Sequence, residues 1–422
     1  MRISYNSFHQ EELKMGLLTR KRRRLEYQNL EDRLCLTAIA NVNHLGVLHV
    51  VGNADGMVSV EATGTGTFDV SDDSVSLGSF EGVNRIWLSL DRHNGDSNTV
   101  NVNLHSEVVD GVFAALGGGE NEFNVQGDQA IGRVDYHGGH GVDTVNVNVE
   151  TTRIVYSRMH GGNDVINVSE DANRIRVRGG GGDDVLTIGP MADVNFVGAI
   201  MESGDNEVNV AGQVAQSLYV SGGHQDDIVR LAEGASSRYM QVNLGHGNNV
   251  VNVAGEVTNN LYYRGGDHSD TIRLTAESSV RTVAVDLGHS HNLPNELFLN
   301  GSVRNLFVFA GHGVDSVVFS ETANTHYSSL VLGNGDNRVV TNGTHSDNLY
   351  FRGFHGHDTF LIGESAEING SVRAVLGAGM NHFQHEGLID GNLLALSKNP
   401  NDAFTANGVV NGFTRLFPGG QK

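Results

Sequence analysis

A single cysteine, Cys35, stands among the 422 residues, so neither an intramolecular disulfide framework nor a cysteine-based metal cluster holds this chain together. Proline is scarce, at 4 residues, which excludes a collagenous or proline-rich chain. No run of about 18 apolar residues occurs, and no transmembrane helix is expected. Lysine nearly vanishes after position 40, where only Lys398 and Lys422 remain. The formal net charge is -21. Because residues 1–40 carry eight Lys/Arg against five Asp/Glu, the rest of the chain is more acidic still. Such a body repels phosphate backbones, so no nucleic-acid partner is expected, and it attracts cations.

Glycine is abundant, at 55 residues, and apolar residues make up 39%. That supply is enough for a core if the apolar residues are regularly placed, and it excludes a simple disordered chain. Regular placement is what the sequence shows. A glycine-rich turn followed by Asp or Asn recurs at Asn98, Asn121, Asp143, Asp164, Asp184, Asn206, Asp227, Asn249, Asp270, Asn295, Asp315, Asn337, Asp358, Asn381 and Asp402. Successive spacings cluster on 21–22 residues. From Asp184 to Asn381 the position alternates strictly between Asp and Asn, so the repeat there is a pair of units near 43 residues, with half the charge of an all-Asp column.

After each turn, apolar and polar residues alternate at period 2, as in Thr144-Val145-Asn146-Val147-Asn148-Val149 and Val250-Val251-Asn252-Val253. This is the signature of a half-buried strand. A second strand precedes the next turn, as in Leu261-Tyr262-Tyr263. One such unit cannot bury its apolar face alone, so the units must stack. The expected fold is all-β, a right-handed parallel β-helix or β-solenoid of about fourteen 21–22-residue rungs. Its interior ladder is expected at Val145, Ile166, Leu186, Val208, Val229, Val251, Ile272, Leu297, Val317, Val339 and Phe360. The solenoid is placed at 96–395, an N-terminal cap with degenerate rungs hinted at by Asp55 and Asp73 at 41–95, and a C-terminal cap and tail at 396–422. Residues 1–40 are expected to lie outside the packed body.

Gly138-Gly139-His140-Gly141-Val142-Asp143-Thr144-Val145 and Gly179-Gly180-Gly181-Gly182-Asp183-Asp184-Val185-Leu186 fit the pattern G-G-x-G-x-D-x-U. On these residues the chain resembles the haemolysin-type (RTX) calcium-binding repeat family. The resemblance implies Ca2+ held by turn carbonyls and aspartates, with Asp143, Asp164, Asp183, Asp184, Asp226, Asp227, Asp267, Asp270, Asp315 and Asp358 as the candidate ligands. This chain departs from that family in having one such turn per 21–22 residues and Asn in every second one. Affinity is therefore expected to be weak, on the order of 0.1–1 mM. A purely structural column remains open, because Asp and Asn favour turns and stacked Asn side chains form hydrogen-bond ladders.

Two further rows stand out. Histidines gather in the turns, at His140, His160, His224, His246, His268, His289, His291, His312, His355 and His357. Stacked imidazoles suit zinc, nickel or copper, although polar residues on exposed turns explain them equally. Arg178, Arg264 and Arg352 each precede a turn glycine at four-unit intervals, either as surface cations offsetting acidic neighbours or as a sugar-binding or catalytic row.

The N-terminal string Leu30-Glu31-Asp32-Arg33-Leu34-Cys35-Leu36, preceded by the basic block Arg20-Lys21-Arg22-Arg23-Arg24, resembles the L-E-x-R-x-L-type segment of bacterial repeat-rich surface proteins. The resemblance implies export, to the medium or the cell surface, with a candidate cleavage near Ala40. Taken together, the expectation is a non-catalytic structural or adhesive surface protein that meets calcium ions and a cell-surface glycan or protein. The alternative is a glycan-active β-helix enzyme, a polysaccharide lyase or hydrolase. Against that alternative, near-uniform unit lengths leave no long loop to form a cleft.

Overall fold

The computed structural model describes residues 38–54, 56–90, 95, 97–289 and 293–419. The basic block, Cys35 and most of the expected export segment, together with Asp55 and His291, lie outside the described residues. Every element of the described chain is a strand, and stacked parallel coils form a β-solenoid of about fifteen turns.

Each coil contributes one strand to each of two sheets. A typical coil enters the first sheet through a long strand such as Glu256–Gly265 and turns at a glycine-rich corner. It then crosses the second sheet in four residues, such as Thr271–Leu274. Alternation explains the short strands, because every second side chain faces inward. In the second sheet Val145, Ile166, Leu186, Val208, Val229 and Val251 stand in direct register from coil to coil. The row continues through Ile272, Leu297, Val317 and Val339 to Phe360. All of these side chains are buried. At about 1.5–3 kcal/mol per fully buried side chain, this row is a principal stabilising term.

The parallel pairing runs past both ends of the 96–395 span. On the N-terminal side, β2 (Val47–Gly52) and β3 (Met57–Gly64) already pair in parallel with the strands Arg85–Leu90 and Thr99–Asn103. Antiparallel strands cover this end: β1 (Ile39–Val42) lies against β2, and β4 (Thr67–Asp72) and β5 (Val75–Phe80) form a meander against β3. Asp73 is therefore no degenerate rung. It sits in the hairpin turn between β4 and β5, where it and Ser74 take positive φ, a conformation that short polar residues tolerate better than branched ones.

On the C-terminal side, residues 403–417 build a further coil, which pairs through Ala403–Ala406 and Thr414–Phe417. Among the described residues no strand covers this coil. Its inward-facing Phe404 and Leu416 are only half-buried.

Candidate functional site: the buried Asn and Asp column

The recurring Asn and Asp stand at the corner where the first sheet passes into the second, and all fifteen, from Asn98 to Asp402, are buried. Their placement follows from the corner's hydrogen-bond needs. Where the chain turns, the backbone N–H of most column residues donates to the side-chain Oδ1 of the column residue one coil further on, although Asn121 also reaches the Val142 carbonyl (3.2 Å) and Asn295 donates to the Val314 carbonyl (3.0 Å). Asn121 donates to Asp143 (3.1 Å), Asp143 to Asp164 (2.7 Å), Asp164 to Asp184 (3.0 Å) and Asp184 to Asn206 (3.0 Å). The same bond recurs from Asp227 to Asn249, from Asn249 to Asp270 and from Asn381 to Asp402. An unpaired buried N–H is costly, which is why an oxygen-bearing short side chain recurs at this one position.

The alternation has its own logic. From Asn121 onward each Asn side-chain amide donates to the carboxylate of the next coil, Asn206 to Asp227 at 2.9 Å and Asn249 to Asp270 at 3.0 Å. In Asn121, Asn206, Asn249 and Asn337 it also donates to the carbonyl two residues back in its own turn. Oδ1 of Asp143, Asp227, Asp270 and Asp358 thus receives both a backbone and an amide hydrogen. Only at Asp143, Asp164 and Asp184 do three carboxylates follow one another with no amide between them.

Oδ2 fares differently. In Asp164, Asp184, Asp270, Asp315 and Asp358 it is buried with no hydrogen-bond partner. Burial therefore pushes these carboxyls up, Asp184 to about 7 and Asp164, Asp227, Asp270, Asp315 and Asp358 to about 6. Asp143 is raised by the same cause. Buried Tyr136 and Tyr263 face Asp143 and Asp270 without closing to hydrogen-bond geometry. Burial, and then the adjacent carboxylates, raise both phenols well above their ordinary range.

Glycine makes this packing possible. A Cβ on Gly222, Gly265 or Gly353 would lie 1.8 Å from Oδ2 of the aspartate five residues on. Two residues before the column a second glycine row stacks backbone on backbone, and a Cβ on Gly335 would stand 1.6 Å from the Gly313 carbonyl.

A second ladder runs outside the first with the opposite polarity. Asp183 donates its N–H back to Asn163 (2.8 Å), Asp205 to Asp183 (2.8 Å), Asp226 to Asp205 (3.1 Å) and Asn248 to Asp226 (2.6 Å). These side chains are exposed. The ten expected calcium ligands therefore divide. Asp143, Asp164, Asp184, Asp227, Asp270, Asp315 and Asp358 lie in the buried column, whereas Asp183 and Asp226 stand on the rim and half-exposed Asp267 lies near His246 (3.4 Å). Neighbours in sequence such as Asp183 and Asp184 reach toward opposite coils and do not converge. Among the described residues no group of three or more His, Cys, Asp or Glu gathers in a metal-binding cluster.

The donors around the inner Oδ1 atoms are N–H groups, the reverse of an all-oxygen calcium shell. The aspartate Oδ1 atoms of the inner column are thus committed to N–H donors, and only the unpartnered Oδ2 atoms are not. The rim carboxylates Asp183, Asp205 and Asp226 lie in three successive coils about 5 Å apart and form no metal-binding cluster among the described residues. Asp205 escaped the sequence reading because its own turn carries Asn206 at the column position.

The histidines share no common geometry. His224 stacks on His246 (5.1 Å between ring centres), whereas His289 meets His312 edge-on. Inside the solenoid, buried His345 bonds Thr325 (2.6 Å) and Thr341 (2.8 Å), and burial pushes its imidazole down to about 4.

Apart from the column, a cleft of about 670 Å³ opens on the first sheet beside Trp87, Phe113, Asp135 and His137. Asp135 is buried, is paired with Arg133, and is the sole carboxylate in the cleft's described lining. Comparison with family models, with curated proteins and with solved structures finds no match for this chain.

Proposed function

We propose that this chain is an exported, non-catalytic solenoid that serves as a structural or adhesive element of a bacterial surface. The observation that carries the reading is the continuous buried column with its two ladders of opposite polarity, because it holds the coils in one register and leaves two long sheet faces as the working surface. The N-terminal resemblance supports export. Calcium enters the proposal as a weak counter-ion of the exposed rim at Asp183, Asp205 and Asp226, where neighbouring carboxylates repel unless a cation intervenes. The glycan-active alternative would place its chemistry in the Trp87 cleft, where Asp135 has no second carboxylate beside it among the described residues, although glycoside hydrolysis ordinarily uses two.

The test is protease shaving of intact cells of the source bacterium, with immunodetection of this chain. Loss of signal without lysis is the expected result, and a protected intracellular pool overturns the reading. Melting curves with chelator and with millimolar calcium test the second part. A modest upward shift that Asp205→Asn reduces is expected, and an unchanged curve removes calcium from the proposal.

A further inference from the structure

The two sheets differ in what they show to solvent. Leaving out the buried carboxylates, the strands of the first sheet carry fourteen arginines against five carboxylates, whereas those of the second carry three arginines against five carboxylates. In a chain of net charge -21, positive charge has been sorted onto one face. The second sheet opens with an amide ladder, in which Asn124 donates to Asn101 (2.8 Å), Asn146 to Asn124 (2.7 Å) and Asn167 to Asn146 (2.8 Å), and the same row turns apolar further on, at Phe298, Val318, Val340 and Leu361.

Along the middle of the first sheet one outward position reads Tyr219, Gln241, Tyr262, Ala284, Phe307, Ser329, Tyr350 in direct coil-to-coil register. An aromatic ring thus stands on every second coil with a smaller or flexible residue between, a spacing of about 9.6 Å. These rings are half-buried or exposed, Tyr262 at 45%. Two residues along the same strands lie Arg264 and Arg352, both exposed and, among the described residues, without an ion pair. A regular row of exposed aromatics is a feature that soluble surfaces otherwise avoid.

We infer that this face is a binding track for an extended, uronate-bearing polysaccharide laid along the solenoid axis. Aromatic faces stack on the apolar faces of sugar rings, and guanidinium groups beside them take carboxylates in bidentate fashion. A ring on every second coil presents one platform per repeat to a chain with a disaccharide period, which a compact ligand would not need. From Tyr219 to Tyr350 the row covers six coil steps, about 29 Å, so affinity should rise with oligomer length. The inference rests on the adhesive reading and gives it a partner.

Affinity electrophoresis of the whole chain through gels containing polygalacturonate, alginate or neutral hydroxyethyl cellulose tests it, with duplex DNA as a fourth arm. Retardation by a uronate polymer and by neither the neutral polymer nor DNA is expected. Tyr262→Ala/Phe307→Ala/Tyr350→Ala should weaken that retardation by about tenfold or more, as loss of central aromatic anchors does. The exposed pair Arg264→Gln/Arg352→Gln, which leaves the core untouched, should weaken it and flatten its salt dependence. Thr187→Ala, on the opposite sheet, should change nothing. No retardation by either uronate polymer, equal retardation by cellulose or DNA, or retardation indifferent to the arginine pair overturns the inference. Surface exposure found without uronate binding removes the track and leaves the structural reading in place.

Discussion

Replacing Asp164 with asparagine should stabilise the protein, and by an amount that depends on pH. Asp164 is the middle of the three successive column carboxylates, and its Oδ2 is buried without a partner. Burial holds its folded-state carboxyl at about 6 against 3.8 in the unfolded chain. Between those values the folded protein keeps a proton that the unfolded chain has lost, so this residue favours folding at low pH and loses that favour as pH rises through 6. At pH 8 the ionised group carries a penalty of about 3 kcal/mol, from about 1.4 kcal/mol per unit over roughly two units. Asparagine removes the penalty and keeps the oxygen that accepts the Asp143 N–H at 2.7 Å. It also adds an amide that can bond Asp184, as Asn249 bonds Asp270, a gain of about 1.5–3 kcal/mol for a hydrogen bond to a charged acceptor. The expected stabilisation is therefore a few kcal/mol at pH 8, shrinking by about 3 kcal/mol or more at pH 4, where Asp184 at about 7 is protonated as well and no longer a charged acceptor. Urea midpoints of parent and Asp164→Asn at both pH values measure it. A variant no more stable than the parent at pH 8, or a gain of equal size at both pH values, would refute the reasoning.

Two other outcomes follow from the same packing. Gly335→Ala should destabilise by more than about 3 kcal/mol, through overpacking and backbone shift, because its Cβ would press on the Gly313 carbonyl. Gly82→Ala, also at positive φ but with open space around it, should lose only about 1–2 kcal/mol, and thermal melts of the pair separate crowding from φ strain. His345, held down at about 4 against 6.5 when unfolded, contributes stability that is complete above pH 6.5 and falls as pH drops toward 4. His345→Gln should therefore abolish a loss of about 2 kcal/mol between pH 7 and pH 5, seen as a flatter acid limb of the melting temperature.

The stacked coils and the interior row were legible because strand alternation and a 21–22-residue spacing repeat without interruption. Val251 and Ile272 needed no structure to be placed. The burial of the column was not legible. Aspartate in a glycine-rich turn reads as a surface residue, and only stacking shows that the corner's own N–H groups demand an oxygen inside. Opposed directions for Asp183 and Asp184 were likewise beyond the sequence, since they depend on which neighbouring coil each side chain meets. The N-terminal cap was expected, but its antiparallel pairing escaped because β3, β4 and β5 alternate just as the coils do. Their turns at Gly64-Thr65-Gly66 and Asp72-Asp73-Ser74 stand too close together for a full coil, and that spacing was the available signal. The aromatic row hid inside strings such as Leu261-Tyr262-Tyr263, where one tyrosine faces out and the next is buried.

The unequal ends of the solenoid bear on how it comes apart. Each coil touches only its neighbours, so disruption advances coil by coil from a boundary instead of striking the middle. The N-terminal boundary is sealed by antiparallel strands that must be peeled away before the first parallel coil is free, while the described C-terminal coil offers Phe404 and Leu416 only half-covered. Loosening should therefore travel one way. Amide exchange would be fastest near Thr414–Phe417 and slow progressively toward the cap, and a proteolytic digest would yield a ladder of fragments sharing one N-terminus, each shorter than the last by one coil.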